Sequence, residues 1–116
     1  MRVFEEAHLH CWLVAYLQSC YPIQTKDLGR RQLSEFITAA TSRARLRGLQ
    51  AASEIRKYVH VSFLLGPGFE TDPGTIWARR ILDDEEQPDP GERICALEEA
   101  VLERLESGSE KTKGVY

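Results

Sequence analysis

Three side chains near the N-terminus have the chemistry to bind a metal ion. His8, His10 and Cys11 stand close together in the sequence, and imidazole and thiolate groups are good ligands for zinc. On a helix, however, His8 and His10 would point about 200° apart, so they could not share one ion. No distant pair of ligands completes a tetrahedral set. The spacing therefore predicts no metal site.

The other candidate groups do not form a catalytic set either. His60 lies in an apolar run, where a histidine satisfied by a neighbouring side chain is more common than a catalytic one. Glu70, Asp72 and the run 83–86 lack the regular oxygen ligands and central glycine of a calcium loop. There is no glycine-rich phosphate loop, nucleophile elbow or Ser-His-Asp set. We predict that the protein is not an enzyme and needs no cofactor.

Basic residues are concentrated in the middle of the chain, where they could contact phosphates. The patch consists of Arg43, Arg45, Arg47, Arg56 and Lys57. Two helices joined by a glycine turn at this point superficially resemble a helix-turn-helix. The whole chain is nevertheless acidic, with a net charge of -3, and on a helix Arg45 would lie about 200° from Arg43 and Arg47. A solvated face is therefore favoured over a nucleic-acid interface.

The charge is distributed unevenly along the chain. Residues 1–58 hold nine basic and five acidic residues, a net charge of +4, whereas residues 59–116 hold six and thirteen, a net charge of -7. If these halves face different directions, the resulting field could orient a binding partner and speed its approach. The alternative is that the two halves neutralise each other within one fold.

Size and composition are those of a small cytoplasmic domain. The 116 residues are enough for one domain with its own core. Three cysteines are an odd number at spacings that match no zinc pattern, which favours free thiols over disulfides. No apolar run approaches the length of about 18 residues that a membrane span requires. Glu5 and Glu6 stand where a secretory signal would carry basic residues, so we expect a cytoplasmic protein.

The spacing of apolar residues predicts an all-α fold, a compact bundle of about five helices. The expected helices are 3–18, 30–47, 52–65, 73–82 and 90–106. The third is apolar on nearly every side from Tyr58 onward, which is typical of the central helix of a bundle. Val59 and Val61 would also fit a strand, but the length of the run favours a helix. Residues 1–106 are expected to form a single domain, and the polar residues 107–116 a disordered, flexible tail.

The joint between the third and fourth predicted helices is the most informative segment. Gly66 can adopt the positive φ that ends a helix, and Asp72-Pro73 is a typical helix start, with a capping carboxylate before a proline that needs no N–H partner. Phe69 and Trp77 flank this start, and we expect both to hold the turn against the core.

Around this joint the chain resembles a family of small uncharacterised proteins of Gram-negative bacteria. The resemblance covers roughly residues 30–105. It is carried by the run Gly66-Pro67-Gly68-Phe69-Glu70-Thr71-Asp72-Pro73, by Trp77-Ala78 and Ile81-Leu82, by Arg43, Ala44, Arg45 and Gly48, and by Asp89, Pro90 and Arg93. The family usually has a proline before the tryptophan, where this chain has Ile76, so the register of the fourth helix is open.

Members of that family accompany the spike proteins, adaptors and toxic effectors of the type VI secretion system. The resemblance implies a non-enzymatic adaptor or chaperone that binds a secreted effector, toxin or spike component. Two alternatives remain open: an immunity protein that covers a toxin's basic cleft, and a nucleic-acid-binding regulator. The residues expected to meet a partner are the basic Arg43, Arg47, Arg56 and Lys57 and the acidic Asp83, Asp84, Glu85 and Glu86.

Overall fold

Residues 6–106 are described by the computed structural model, with side chains from residue 8 onward, and they form six α-helices and no strand. The helices are α1 (Glu6–Cys20), α2 (Pro22–Leu28), α3 (Arg30–Leu46), α4 (Ala52–Leu65), α5 (Ile76–Leu82) and α6 (Pro90–Glu106). This confirms the predicted all-α bundle. The expected start of the first helix at residue 3 and the expected tail at 107–116 lie outside the described residues.

Helix α4 lies at the centre of the bundle. It packs against α1, α3 and α6, and every side chain from Tyr58 to Leu64 is buried. Most of these side chains are apolar, so the core can surround the helix with few unmet polar groups. The alternative that Val59 and Val61 belong to a strand is therefore wrong.

The connection between α1 and α3 is a helix that is absent from the five predicted. Pro22 ends α1 and is also the first residue of α2, a position at which its missing N–H costs nothing. Thr25 is buried inside α2, and its hydroxyl donates back to the carbonyl of Tyr21 at 2.8 Å. This short extra helix raises the number of helices from five to six.

Glycine ends α3 as predicted. Gly48 has φ +92°, which only glycine adopts without strain, and its N–H donates to the carbonyl of Arg45 at 3.0 Å. The next N–H, from Leu49, reaches back to the carbonyl of Ala44 at 3.1 Å, and the Leu49 side chain is buried. These two bonds form the Schellman motif, which fixes the direction in which the chain leaves α3.

The predicted joint after α4 has the expected local structure. Gly66 ends α4 with φ +106°, and the carboxylate of Asp72 accepts from the N–H of Gly74 at 2.9 Å. Pro73 begins a single 3-10 turn that leads into α5. Phe69 is 1% exposed and is part of the core, as expected. Trp77 is only partly buried and packs against the edge of the core, so it supports the joint less than the sequence suggested.

Helix α6 begins at the second Asp-Pro pair. The carboxylate of Asp89 accepts from the N–H of Gly91 at 3.1 Å, and Pro90 is the first helical residue. Ile94, Leu97 and Val101 are buried against α4 and α5. The opposite face of α6 is exposed, so this helix presents a long surface to solvent.

Candidate functional site

A polar network around His60 joins α4 to α6. His60 is buried in α4, and its Nδ1 lies 2.8 Å from Oε2 of Glu98 on α6. Arg56, one turn earlier on α4, donates from Nη1 to the same carboxylate oxygen at 3.2 Å. One carboxylate therefore accepts from two side chains of the central helix, with Glu98 only 13% exposed.

Two tyrosines complete this network from the side of α1. The Tyr21 hydroxyl lies 2.7 Å from Nε2 of His60, and the Tyr16 hydroxyl accepts from Nη1 of Arg56 at 2.8 Å. The guanidinium of Arg56 also lies over the Tyr16 ring, 5.0 Å from its centroid. We call Tyr16, Tyr21, Arg56, His60 and Glu98 the His60 network. Both ring nitrogens of His60 are engaged within it, as expected for a histidine satisfied by its neighbours.

The charges of the His60 network indicate a structural contact that holds α4 and α6 together. Burial opposes ionisation of Glu98, but the His60 hydrogen bond and the Arg56 charge outweigh it, so the pKa of Glu98 lies below its ordinary value. Burial raises the pKa of Tyr21 to about 12. At neutral pH the phenol therefore keeps its proton. The network holds a carboxylate close to a cation and has no activated nucleophile.

A second network ties the end of α3 to the joint after α4 and to the end of α5. Arg47 donates to Oε1 of Glu70 from Nε at 3.1 Å and from Nη2 at 2.8 Å, and to Oδ1 of Asp83 from Nη1 at 2.9 Å. The buried Tyr58 donates its hydroxyl proton to the other oxygen of Glu70. Arg79 donates to Asp83 at 3.1 Å. We call these residues the Arg47 network.

The pKa values of the two carboxylates in the Arg47 network are lowered, as expected for ionised carboxylates that accept hydrogen bonds from an arginine. Burial disfavours ionised Glu70, yet the hydrogen bonds from Arg47 and Tyr58 outweigh it and lower its pKa. The hydrogen bond from Arg47 also lowers the pKa of Asp83. Arg43 lies beside this network and its charge favours ionised Glu70. Nε and Nη2 of Arg43 are buried without a hydrogen-bond partner in the described part of the chain.

Acid should weaken the fold through these two networks. Because the pKa values of Glu70 and Glu98 are lowered, their contribution to stability is complete above the unfolded value of about 4.3 and is lost as the pH falls through the folded values. We expect the free energy of unfolding, measured by urea denaturation, to fall between about pH 5 and pH 2. The Glu70→Gln/Glu98→Gln variant should be less stable at pH 7 and should show a shallower fall. Equal slopes would contradict the assignment.

The basic residues that the sequence assigned to partner binding do not form one solvated face. Arg47 belongs to the Arg47 network, Arg43 lies beside it, and Arg56 belongs to the His60 network. The physical reason is that Arg43 and Arg47 point towards the core side of α3, where carboxylates from other segments meet them. Lys57 is partly buried and forms no ion pair with a described residue.

The acidic residues divide into two groups. Asp83 is held by Arg47 and Arg79, whereas Asp84, Glu85 and Glu86 are exposed in the loop before α6. The carboxylate of Asp84 accepts from the N–H of Glu86 at 3.0 Å, which shapes this loop. The structure therefore keeps all four predicted acidic residues at the surface, and among the described residues Asp83 is the one of the four that forms ion pairs.

A row of glutamates along the outer face of α6 was not predicted from the sequence. Its members, which we call the α6 acidic stripe, are Glu92, Glu99, Glu103 and Glu106. All four are exposed, and none forms an ion pair with a residue in the range 8–106. At about 100° per residue they fall within a sector of about 60°, over a length of about 21 Å. Their spacing in the predicted fifth helix was the signal that could have revealed them.

The described residues contain neither a cluster of metal ligands nor a helix that could span a membrane. No three His, Cys, Asp or Glu residues of this part of the chain stand close enough to hold an ion. Its helices are too short or too polar to cross a bilayer. Comparison with family models, with curated proteins and with solved structures gives no match.

Proposed function

We propose that this protein is a non-enzymatic adaptor or chaperone that binds a type VI secretion effector or spike component. The observation that carries protein binding is the α6 acidic stripe, which presents four carboxylates in one row. The secretion context rests on the resemblance over residues 30–105. The partner's contact surface would be basic, because only a basic surface compensates the charge of the stripe.

The contrast between paired and unpaired carboxylates supports this proposal. The partly buried Glu70 and Glu98 and the exposed Asp83 each meet an arginine within the fold. Glu99 and Glu103 on the outer face of α6 meet none among the described residues. Like charges in a row on one helix face repel one another, and each neighbouring pair destabilises the helix by about a few tenths of a kcal/mol. A basic partner would remove that repulsion when it binds.

The two networks give the proposed surface a rigid support. Glu98 fixes α6 to the central helix α4, and the buried apolar side of α6 packs against α4 and α5. The stripe thus stands on a helix whose position is fixed by contacts on its other side. A preorganised surface loses less conformational entropy when it binds, which favours a stable complex.

An immunity protein is the second candidate, and the exposed acidic loop favours it. Asp84, Glu85 and Glu86 are exposed together in a loop shaped by an internal hydrogen bond. Such a loop could enter the basic cleft that a nucleic-acid-cleaving toxin needs to bind phosphates. Co-expression separates the two candidates, because an immunity protein rescues cells from one toxin and an adaptor does not.

Nucleic-acid binding agrees less well with the geometry. Arg47 and Arg56, which the regulator hypothesis requires for phosphate contacts, are each engaged with a carboxylate. Binding DNA or RNA through them would break pairs that stabilise the fold. A regulator of this kind would show affinity for nucleic acid that falls steeply as salt rises.

Partner capture with a charge-reversed protein tests the proposal. We expect the tagged wild type to retain a spike or effector protein from its native cytoplasm, and Glu99→Lys/Glu103→Lys to weaken binding of the recovered partner about tenfold or more. The control is Asp27→Lys/Glu35→Lys, which changes the charge equally on exposed residues of α2 and α3.

Two outcomes would count against this function. Equal binding by both charge-reversed variants would place the interface away from the α6 acidic stripe. Recovery of nucleic acid alone, lost at high salt, would support the regulator instead. Circular dichroism of both variants checks that they remain folded.

A further inference from the structure

An open pocket lies at the corner where α1, α2 and α3 meet. Helix α2 ends at Leu28 and α3 begins at Arg30, so a single residue joins the two helices. This short connection keeps the last turn of α2 close to the first turn of α3. We call the cavity the corner pocket, and its lining comes from all three helices and their joint: Gln18, Pro22, Thr25, Lys26, Gly29 and Arg30.

The corner pocket is large enough for a small organic molecule. Its volume is about 360 Å³, the equivalent of about twelve water molecules. Pockets that bind small molecules commonly have volumes of about 300–1,000 Å³. The pocket is also open to solvent, so a group that belongs to a larger molecule can enter it.

Two cations line the corner pocket, and no carboxylate does. Lys26 lies in the last turn of α2, and Arg30 is the first residue of α3. Both side chains are exposed, and neither forms a hydrogen bond or an ion pair with a residue in the range 8–106. The neighbouring Arg31, by contrast, lies 3.6 Å from Glu35. The acidic residue nearest in sequence, Asp27, does not line the pocket.

The two uncompensated charges define the ligand by its own charge and shape. Two cations beside one pocket repel each other, and an anion between them removes that repulsion. A phosphate ester carries about 1.5 to 2 negative charges at pH 7, which matches Lys26 and Arg30 together. The planar guanidinium of Arg30 suits two parallel hydrogen bonds to phosphate oxygens, and the ammonium of Lys26 supplies a compact second charge.

Gln18 adds a group that suits the rest of such a ligand. Its side chain is exposed on α1 and forms no hydrogen bond with a described residue. An amide both donates and accepts, so it can bind a hydroxyl or a peptide group that accompanies the phosphate. The pocket thus offers two cations for an anionic group and a neutral polar group beside them.

We propose that the corner pocket binds a phosphomonoester, with the phosphate held between Lys26 and Arg30. The phosphate belongs either to a small metabolite or to a phosphorylated serine of another protein. A neutral ligand would leave both charges uncompensated. The corner pocket uses α1, α2 and α3, whereas the α6 acidic stripe lies on α6, so the two sites are tested independently.

Titration of the ¹⁵N-labelled protein with glycerol 3-phosphate tests the proposal, at ionic strength held constant with KCl. We expect saturable shifts of the amide signals of Gln18 and of residues 24–31. Lys26→Gln and Arg30→Gln should each weaken binding about tenfold or more, as does the loss of a hydrogen bond between charged groups. Both positions are exposed, so we expect both variants to fold.

Arg31→Gln is the matched control. It removes the same charge one residue away, from an exposed side chain that does not line the corner pocket. We expect this variant to bind glycerol 3-phosphate nearly as tightly as the wild type. Equal weakening by Arg31→Gln and Arg30→Gln, unchanged affinity in Lys26→Gln and Arg30→Gln, or shifts that the dianion succinate reproduces would each overturn the proposal.

Two further ligands distinguish the sources of the phosphate. A blocked Gly-phosphoserine-Gly peptide presents the phosphate on a polypeptide chain, and inorganic phosphate presents it alone. Tighter binding of the peptide supports a phosphorylated protein, and tighter binding of glycerol 3-phosphate supports a small metabolite. If inorganic phosphate bound as tightly as both esters, the pocket would hold an adventitious ion only, and the proposal would be wrong.

Discussion

Phe69→Ala is expected to lower the free energy of unfolding by about 3–5 kcal/mol, the cost of truncating a fully buried aromatic side chain. Phe69 is 1% exposed, and its ring lies 5.7 Å from the ring of Tyr58, measured between centroids. A domain of this size has a total stability of about 5–15 kcal/mol. The variant should therefore be largely unfolded at a urea concentration that leaves the wild type folded.

The loss extends beyond the cavity because Phe69 positions the joint after α4. Its carbonyl accepts from the hydroxyl of Thr75 at 2.7 Å, and its N–H donates to the carbonyl of Gly66 at 3.2 Å. The next residue, Glu70, is the acceptor in the Arg47 network. Removing the ring allows the joint to move and weakens the pairing of Glu70 with Arg47.

The variant Trp77→Ala tests whether Phe69 is the main aromatic anchor of the joint. Trp77 is partly exposed, and the guanidinium of Arg104 lies 3.8 Å from the centroid of its ring. Its truncation removes part of a hydrophobic contact and a cation–π contact, for which we expect about 1–3 kcal/mol. A larger loss from Trp77→Ala than from Phe69→Ala would show that Trp77 is the main anchor of the joint.

Helix boundaries could be predicted from the sequence where they depend on local chemistry. Asp72-Pro73 and Asp89-Pro90 start helical segments because a carboxylate meets a free N–H two residues later, and Gly48 ends α3 because glycine adopts a positive φ. All the atoms involved lie within a few residues of one another. Such boundaries need no knowledge of the rest of the fold.

Helix α2 could not be predicted in the same way. It has seven residues and no side-chain cap, and isolated helices of this length are not stable in water. Its contacts with α1 and α3 hold it in place. Pro22 follows the end of α1 and is the first residue of α2. The information that decides its structure lies in tertiary packing.

The His60 network and the Arg47 network could not be predicted from the sequence, because the residues that meet in each of them are far apart along the chain. His60 and Glu98 are separated by 38 positions, and Arg47 and Glu70 by 23. Which carboxylate meets which cation depends on how the helices rotate against one another. One signal was available, because Glu98 falls on the apolar side of α6 beside Ile94 and Val101. A charged residue at such a position predicts a buried partner, although it does not identify one.

Glu98→Ala is expected to lower the free energy of unfolding by about 3 kcal/mol, because removing one member of a buried ion pair leaves the other charge or donor without its partner. His60 Nδ1 and Arg56 Nη1 both donate to the lost carboxylate oxygen. Glu98→Gln retains an acceptor of similar shape and should cost about 1 kcal/mol. Urea denaturation at pH 7 measures both values.

A double-mutant cycle separates pairing from simple loss of packing. If the contact between His60 and Glu98 stabilises the fold, His60→Ala/Glu98→Ala should be more stable than the sum of the single losses predicts, by about 1–3 kcal/mol. Strict additivity would mean that each side chain contributes through its own packing and that the hydrogen bond of 2.8 Å adds nothing. The proposed rigid support of α6 would then depend on its apolar contacts alone. The charge-reversal experiment would remain valid, because the α6 acidic stripe lies on the opposite face.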